Sequence, residues 1–392
     1  MWPFTKKQKP GILKLIIDIR SSSIGGALVV HEENKEPLII YSTRNYIFLD
    51  KLENLDTFFT KILSGLDKVL ENIEKEGIKR NAVKFSDNHV SEVWCAFSSP
   101  WYKSKIKNFE INDGKPVKFT SKLLNHVLEQ EAESNKKDID EVSIEKKIIS
   151  VFMNDYEIAN PFEKIADKIM VSFYSSNIAT KTELAVKDRI SSKFNTNNIK
   201  FCSHPLVIIS VIKKLFHSVS DFLFIDVGGE TTDIGLLRAG KLEDLITIPV
   251  GTHHFLRKLI SEYSFDLAAA SSHLNLLFNH KLDDIASTRS MAVINKVKSE
   301  WFSIIKNALE NKWVKEVTPS LIFLTADTDV NNLLKDIILS KEFYVDCLKI
   351  NKEPVLQILN RNSIPNLCNQ DTDVRQDPVL SLVSTFSDFD NI

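Results

Sequence analysis

Glycine is the first thing this sequence is short of. Its 392 residues include 11 glycines, about 3% against a usual level of about 7%, so those kept are expected mainly where a side chain would not fit. Cysteine is sparse as well. Cys95, Cys202, Cys347 and Cys368 stand far apart, none in a CxxC pair or beside a histidine at ligand spacing, which argues against a zinc framework and for buried free thiols in a reducing cytoplasm. An excess of either charge is also missing: 50 basic and 52 acidic residues leave a net charge of -2, so nucleic acid is not an expected partner. No apolar run approaches the roughly 18 to 20 residues of a membrane-spanning helix, so direct membrane insertion is not expected. The opening MWPFTKKQKP leads into LKLIIDI, too short and too interrupted by charge for a secretion signal. The expected location is the cytoplasm.

What is present suits an ordinary globular chain. It has 43% hydrophobic and 26% charged residues, and its length allows two or more domains, each with a core. Leu13–Ile19, Gly26–Val30 and Pro37–Asn45 read as strands, and apolar residues at helical spacing from Leu55 to Ile73 predict a helix over 54–76. Val93–Phe97 is a further strand, ending in the turn Ser98–Trp101, after which the texture changes. Thr120 precedes a helical stretch, Ile144–Phe152 and Lys168–Tyr174 read as strands, and Thr180–Phe194 as a helix. The outer pattern then resumes with a helix over Pro205–Phe216, strands Phe222–Val227 and Lys241–Pro249, a helical block from Gly251 to about Val314, a strand Leu321–Thr325 and a helix Asp329–Ser340. The expected organisation is α/β: a first lobe from 1–100, an inserted α+β subdomain over 101–201, a return helix over 202–221, a second lobe over 222–375 and a closing helix over 376–392.

An internal repeat carries the chemistry. LIIDIRSSSIGGALVV from Leu15 and LFIDVGGETTDIGLLR from Leu223 share one layout, 208 residues apart: an apolar strand ending in Asp, a turn of small or hydroxylated residues, then a second apolar strand. Such a turn presents backbone N–H groups and hydroxyls to phosphate oxygens, and glycine lets the backbone come close. An Asp at the strand end can hold a hydrated Mg2+. Two facing hairpins would clamp one triphosphate, with Gly228 and Gly229 kept to admit a phosphate beside Asp226. The alternative is two tight hairpins in which Asp18 and Asp226 only cap turns.

DVGGETTDIGLLRAGKL and DIRSSSIGGALV resemble the second and first phosphate motifs of the actin-like ATPase superfamily, in the branch of the pilus-assembly protein PilM and the cell-division protein FtsA. The segment from about Trp101 to Phe201 is similar in size and position to the subdomain this branch inserts into its first lobe. The resemblance implies an actin-like fold, two related lobes around a nucleotide cleft, and a site for ATP and Mg2+. It places phosphates at Ser21, Ser22, Ser23, Gly228, Gly229, Thr231 and Thr232, the metal through water at Asp18 and Asp226, and the adenosine side at Thr325, Ala326 and Asp327. Three departures stand against turnover. Arg20 occupies a position where the family has glycine, the adenosine-side glycine pair is replaced by TADTD, and the charged residues that approach the ribose are replaced in FDLAAASSHL at Phe265–Leu274. The Arg20 guanidinium could pair with Asp18 or Asp226 and take the place of a metal ion, which would leave at most a weak ATPase; solvent or a phosphate is the alternative partner.

The resemblance implies a cytoplasmic scaffold that docks the cytoplasmic tail of an inner-membrane assembly protein, as in type IV pilus assembly, peripheral at the membrane through that partner and open to self-association. Trp94, Trp101 and Tyr102, near the insert junction, are candidate anchors for such a peptide. Two other readings compete. An FtsA-like filament tether needs a basic amphipathic end, whereas the tail QDTDVRQDPVLSLVSTFSDFDNI is acidic. A small-molecule kinase needs a base poised in the cleft, for which His204, His253 and His254 are the nearest residues.

Overall fold

The computed structural model describes residues 11–33, 35–49, 54–79, 89–112, 114–134, 140–310, 318–326, 330–361, 363–364 and 367–389. The first lobe opens with β1 (Ile12–Ile19), β2 (Ser23–His31) and β3 (Leu38–Tyr46), continues through α1 (Leu55–Asn72) and reaches β4 (Glu92–Phe97). Helix α1 starts where Asn54 accepts a hydrogen bond from the Thr57 amide and Asp56 faces the helix dipole. It lays Phe58, Ile62, Leu66 and Val69 on the sheet.

The insert holds β5 (Tyr102–Ile111), β6 (Val117–Lys118), α2 (Ser121–Ser134), β7 (Glu141–Met153), β8 (Tyr156–Glu157), β9 (Ile165–Ala166), β10 (Ile169–Ala179) and α3 (Thr180–Phe194). The chain then returns through β11 (Ile199–Ser203) and α4 (His204–Leu215). The second lobe contains β12 (Phe222–Val227), β13 (Thr232–Arg238), β14 (Lys241–Ile248), α5 (His253–Tyr263), α6 (Leu267–Phe278), α7 (Asp284–Glu310), β15 (Leu321–Ala326), α8 (Asn331–Ile338) and β16 (Val355–Ile358). Finally β17 (Asn369–Gln370) and α9 (Pro378–Phe389) go back to the first lobe.

The two main sheets repeat one topology. The first runs β11-β4-β1-β2-β3-β17 and the second β14-β13-β12-β15-β16. In each, a three-strand antiparallel meander is extended on its first strand by two parallel strands. Helices α4 and α9 lie against both sheets, so Ile16 and Trp94 of one lobe share a core with Phe222, Phe224 and Phe323 of the other. A separate core backs the second sheet with α5 to α8, and a small one fills the insert. Gly235 is required inside β13, because a Cβ there would stand 2.0 Å from the Phe224 ring that this shared core holds.

Several expected boundaries move. The strands expected at 144–152 and 168–174 are longer, ending at Met153 and Ala179. The helical block is divided into three by the left-handed residues Ser264 and His280. It starts at His253 rather than Gly251, since Gly251 is pressed under the Gly228 and Gly229 carbonyls, where a Cβ would lie 2.3 and 2.5 Å from their oxygens. Strand β5 was not expected: its lysines at 103, 105 and 107 mask an edge strand with little apolar content. Among the described residues no helix is long and apolar enough to cross a membrane.

Candidate functional site

The duplicated sheets bring the two aspartates to equivalent points. Asp18 sits in β1 between Gly25 of β2 and Ala96 of β4; Asp226 sits in β12 between Asp233 of β13 and Thr325 of β15. His204, the first residue of α4, stands between them. Its Nε2 is 2.6 Å from Asp18 Oδ1 and its Nδ1 is 3.4 Å from Asp226 Oδ2. Arg20 Nη2 donates to Asp226 Oδ1 over 2.8 Å and to the Val227 carbonyl over 3.1 Å. Arg44 Nη2 donates to Asp18 Oδ2 over 2.7 Å, and its other nitrogens reach Ser23 Oγ and Asp377. Thr325 Oγ1 completes the shell of Asp226, donating over 2.8 Å.

The central charges are buried: Asp18 is 0%, Arg20 1%, His204 2% and Asp226 3% exposed. A buried carboxylate without partners would take up a proton. Burial does push Asp18 up, but Arg44, His204 and Arg20 outweigh it and hold it at about 2. Burial acts on Asp226 in the same way, and Arg20 and His204 hold it well below the usual carboxylate range. For His204, burial works against the charged form while Asp18 and Asp226 favour it more strongly, so it is raised. An imidazolium donating to both aspartates fits that position.

The turns above this cluster touch each other. The Gly229 amide donates to Ser22 Oγ and the Glu230 amide to Ser21 Oγ, both over 3.1 Å. On the other side of the loop, Gly228 and Gly229 carbonyls accept from the Thr252 and His253 amides at the start of α5. The second loop is thus gripped from both sides. A Cβ on Gly229 would lie 2.2 Å from Ser22 Cβ, and one on Gly228 2.9 Å from Ser21 Oγ. The glycine pair therefore admits the serines of the facing hairpin.

Beside the loops, Thr231 Oγ1 donates to the Ser99 carbonyl over 3.0 Å. Asp233, also buried, accepts from Ser99 Oγ and Tyr102 Oη at 2.9 Å and from Thr247 Oγ1 at 2.6 Å. Burial outweighs these three donors and raises it to about 6. Glu230 accepts from both terminal nitrogens of Arg257, at 2.8 and 2.9 Å, and faces His253 Nδ1 at 2.9 Å. Burial alone would lift it; His253 and Arg257 instead hold it at about 2.

The residues singled out from the sequence divide as follows. Asp18, Arg20, Ser21, Ser22, Ser23, Asp226, Gly228, Gly229, Thr231 and Thr325 gather around this seam. Thr232 is turned away from it, donating to the Val250 carbonyl; Ala326 is buried at the end of β15 in the second-lobe core, and Asp327 lies outside the described residues. Trp94, Trp101 and Tyr102 do not form one peptide-binding surface. Trp94 packs edge-on to Phe386, Trp101 packs on Phe58 and Phe59 and donates to the Arg20 carbonyl, and Tyr102 is committed to Asp233. The histidines considered as bases each face a carboxylate: Asp18 and Asp226 for His204, Glu230 for His253 and Glu300 for His254. Arg44, Asp233, Arg257 and Asp377 belong to the network and were not singled out; Asp233 lies within the quoted second motif, whereas nothing near Arg44, Arg257 or Asp377 in the sequence marks them.

A triphosphate with hydrated Mg2+ does not fit this arrangement. It would have to displace Arg20 and His204 from the aspartates and separate Ser21 and Ser22 from the amides of the second loop. The Gly228, Gly229 and Glu230 amides and the Thr231 hydroxyl, which would cradle phosphate, already have acceptors.

A duplicated five-strand topology, with paired aspartate hairpins meeting between the lobes and a subdomain inserted in the first, is the actin-like ATPase fold. Among solved structures, the chain is similar over 96% of its length to 96% of a chain in the "PilM-PilN type IV pilus biogenesis complex", with a TM-score of 0.60 and 14% identity. It is also similar to the ethanolamine utilization protein EutJ from Carboxydothermus hydrogenoformans, with a TM-score of 0.46 and 12% identity over 97% of this chain and 92% of that one. A Bacteroides thetaiotaomicron protein with an actin-like ATPase fold gives a TM-score of 0.42 and 11% identity over 98% and 99% of the two chains. No protein-family model and no curated protein matches the sequence.

Proposed function

We propose that this protein is an assembly scaffold of the PilM kind, which holds an extended peptide from the cytoplasmic tail of an inner-membrane partner between its insert and its first lobe. One observation carries the reading. A groove of ≈ 340 Å³ is bounded on one side by Val142, Ser143, Ile144 and Glu145 of β7 and on the other by Ile199, Lys200, Phe201 and Cys202 of β11. Side chains of a strand alternate between its faces, so a groove lined by consecutive residues is bounded by strand edges. β11 is the outer strand of its sheet, and on its outer side β7 pairs with β8 at Phe152 and Met153, beyond the groove.

An incoming strand could therefore pair with the backbone while placing apolar side chains toward Trp94, Leu206 and Phe386. Lys147, Glu183 and Lys200 give the rim both signs of charge. One end is closed by Glu145, which accepts from the Ser203 amide and hydroxyl and from Ser176 Oγ. The similarity to a solved pilus-biogenesis complex supports this kind of role, with attachment to the membrane through the partner.

The test uses labelled peptides copied from the cytoplasmic tails of single-span membrane proteins encoded beside this gene. Fluorescence anisotropy is expected to show one-to-one binding, lost in Ile144→Glu while the unfolding midpoint holds. Binding that survives Ile144→Glu and an Ile199→Glu variant would remove the groove from the mechanism.

A further inference from the structure

We propose that the interlobe cleft is locked by the protein's own side chains and does not take a nucleoside triphosphate: Arg20 stands in for the metal ion and the hydroxyls of Ser21 and Ser22 stand in for phosphate oxygens. The fold is thereby kept closed without a ligand. Three independent contacts support the substitution. Arg20 Nη2 delivers positive charge to Asp226 at 2.8 Å, where the repeat would otherwise need a cation between two carboxylates. Arg44 does the same for Asp18 at 2.7 Å, and His204 bridges both.

The serines supply the second element. Each offers one oxygen acceptor to one loop amide, as a phosphate oxygen would, yet each is anchored in the opposite lobe. A phosphate group is wider than a hydroxyl, so it cannot enter between Ser22 and Gly229 unless the lobes part. Parting them also breaks the contacts of Ser99 and Tyr102 with Thr231 and Asp233. The third element is steric: Gly229 approaches so closely that even a methyl group would overlap Ser22. Glycine at this position suits the lock, since it brings two backbones together rather than leaving room between them.

Two measurements on the full chain decide it. In calorimetry and thermal unfolding with millimolar Mg-ATP, Mg-ADP or Mg-GTP, the wild-type protein is expected to give no binding heat and no change in midpoint. One-to-one micromolar binding of any of them overturns the lock. In hydrogen exchange followed by mass spectrometry, the segment 226–231 is expected to exchange slowly and to be unaffected by Mg-ATP. The Ser21→Ala/Ser22→Ala variant should exchange there about tenfold faster, having lost both cross-lobe acceptors. Rapid exchange of this segment in the wild type, or protection that appears only with nucleotide, overturns the proposal. The groove between β7 and β11 is separate from these contacts, so peptide docking can stand or fall independently.

Discussion

Ser22 and Gly229 meet across the two lobes: the Gly229 amide donates to Ser22 Oγ over 3.1 Å, and a Cβ on Gly229 would lie 2.2 Å from Ser22 Cβ. The contact joins positions 207 residues apart and leaves no slack for a larger side chain on either hairpin.

Gly229→Ala is therefore expected to destabilise the protein by about 1–3 kcal/mol, the usual cost of overpacking. Ser22→Gly in the same chain should recover part of the loss, because it removes the atom that clashes. Denaturant midpoints of the two single variants and the double variant check this. Simple additivity would show that the two loops do not press on each other in solution.

Arg20→Ala is expected to cost about 3–5 kcal/mol, since it leaves Asp226 buried with its main counter-charge removed. Asp226→Asn combined with Arg20→Met should lose less than Arg20→Ala alone, as neither residue then strands a charge. Urea unfolding curves with unchanged slope would establish the order.

The pH dependence of stability should show contributions of opposite sign. Asp233 is raised from 3.8 to about 6 in the folded chain, so its favourable contribution is full below pH 3.8 and is lost as the pH rises through 6. That amounts to about 3 kcal/mol. His204 acts in the same direction at higher pH: its folded value is raised above 6.5, and its contribution disappears as the pH passes that raised value. Asp18, lowered from 3.8 to about 2, stabilises above pH 3.8 and ceases to do so as the pH falls through 2. Midpoints measured from pH 2 to pH 8 should accordingly be highest near pH 4, and Asp233→Asn should flatten the decline between 4 and 6. An unaltered decline in that variant would place its origin elsewhere.

Tyr102→Phe removes one of the three hydroxyls that donate to Asp233. A loss of about 1–3 kcal/mol at pH 7 is expected, the cost of an under-satisfied buried group, shrinking at pH 4, where Asp233 is protonated. Equal losses at both values would mean that the ring's packing, not its hydroxyl, supplies the stability.

The sequence made the repeat visible because both halves keep an apolar strand, an aspartate and a small-residue turn in a fixed order. The helix at Thr180–Phe194 was legible to the residue, being preceded by a strand and ended by Asn195 in the left-handed region. Arg44 and Asp377 were not legible. They reach Asp18 from β3 and from the start of α9, and local spacing carries no record of that meeting. The serine neighbours of the glycine pair were not legible for a related reason. Close approach to a phosphate and close approach to a serine place the same demand on the backbone, and only the facing hairpin distinguishes them. Tyr102 likewise looked like a surface anchor because its hydroxyl partner, Asp233, is distant in the chain.

The first sheet is completed by residues that follow the second lobe. Its edge strand β17 is Asn369–Gln370, and α9, at Pro378–Phe389, covers β1 and β2 while Lys14 donates to the Ser387 carbonyl over 2.7 Å. During synthesis the first lobe must consequently wait, with part of its apolar surface uncovered, until residues 369–389 have left the ribosome. A nascent chain stopped near residue 360 should bind chaperones that the finished protein ignores.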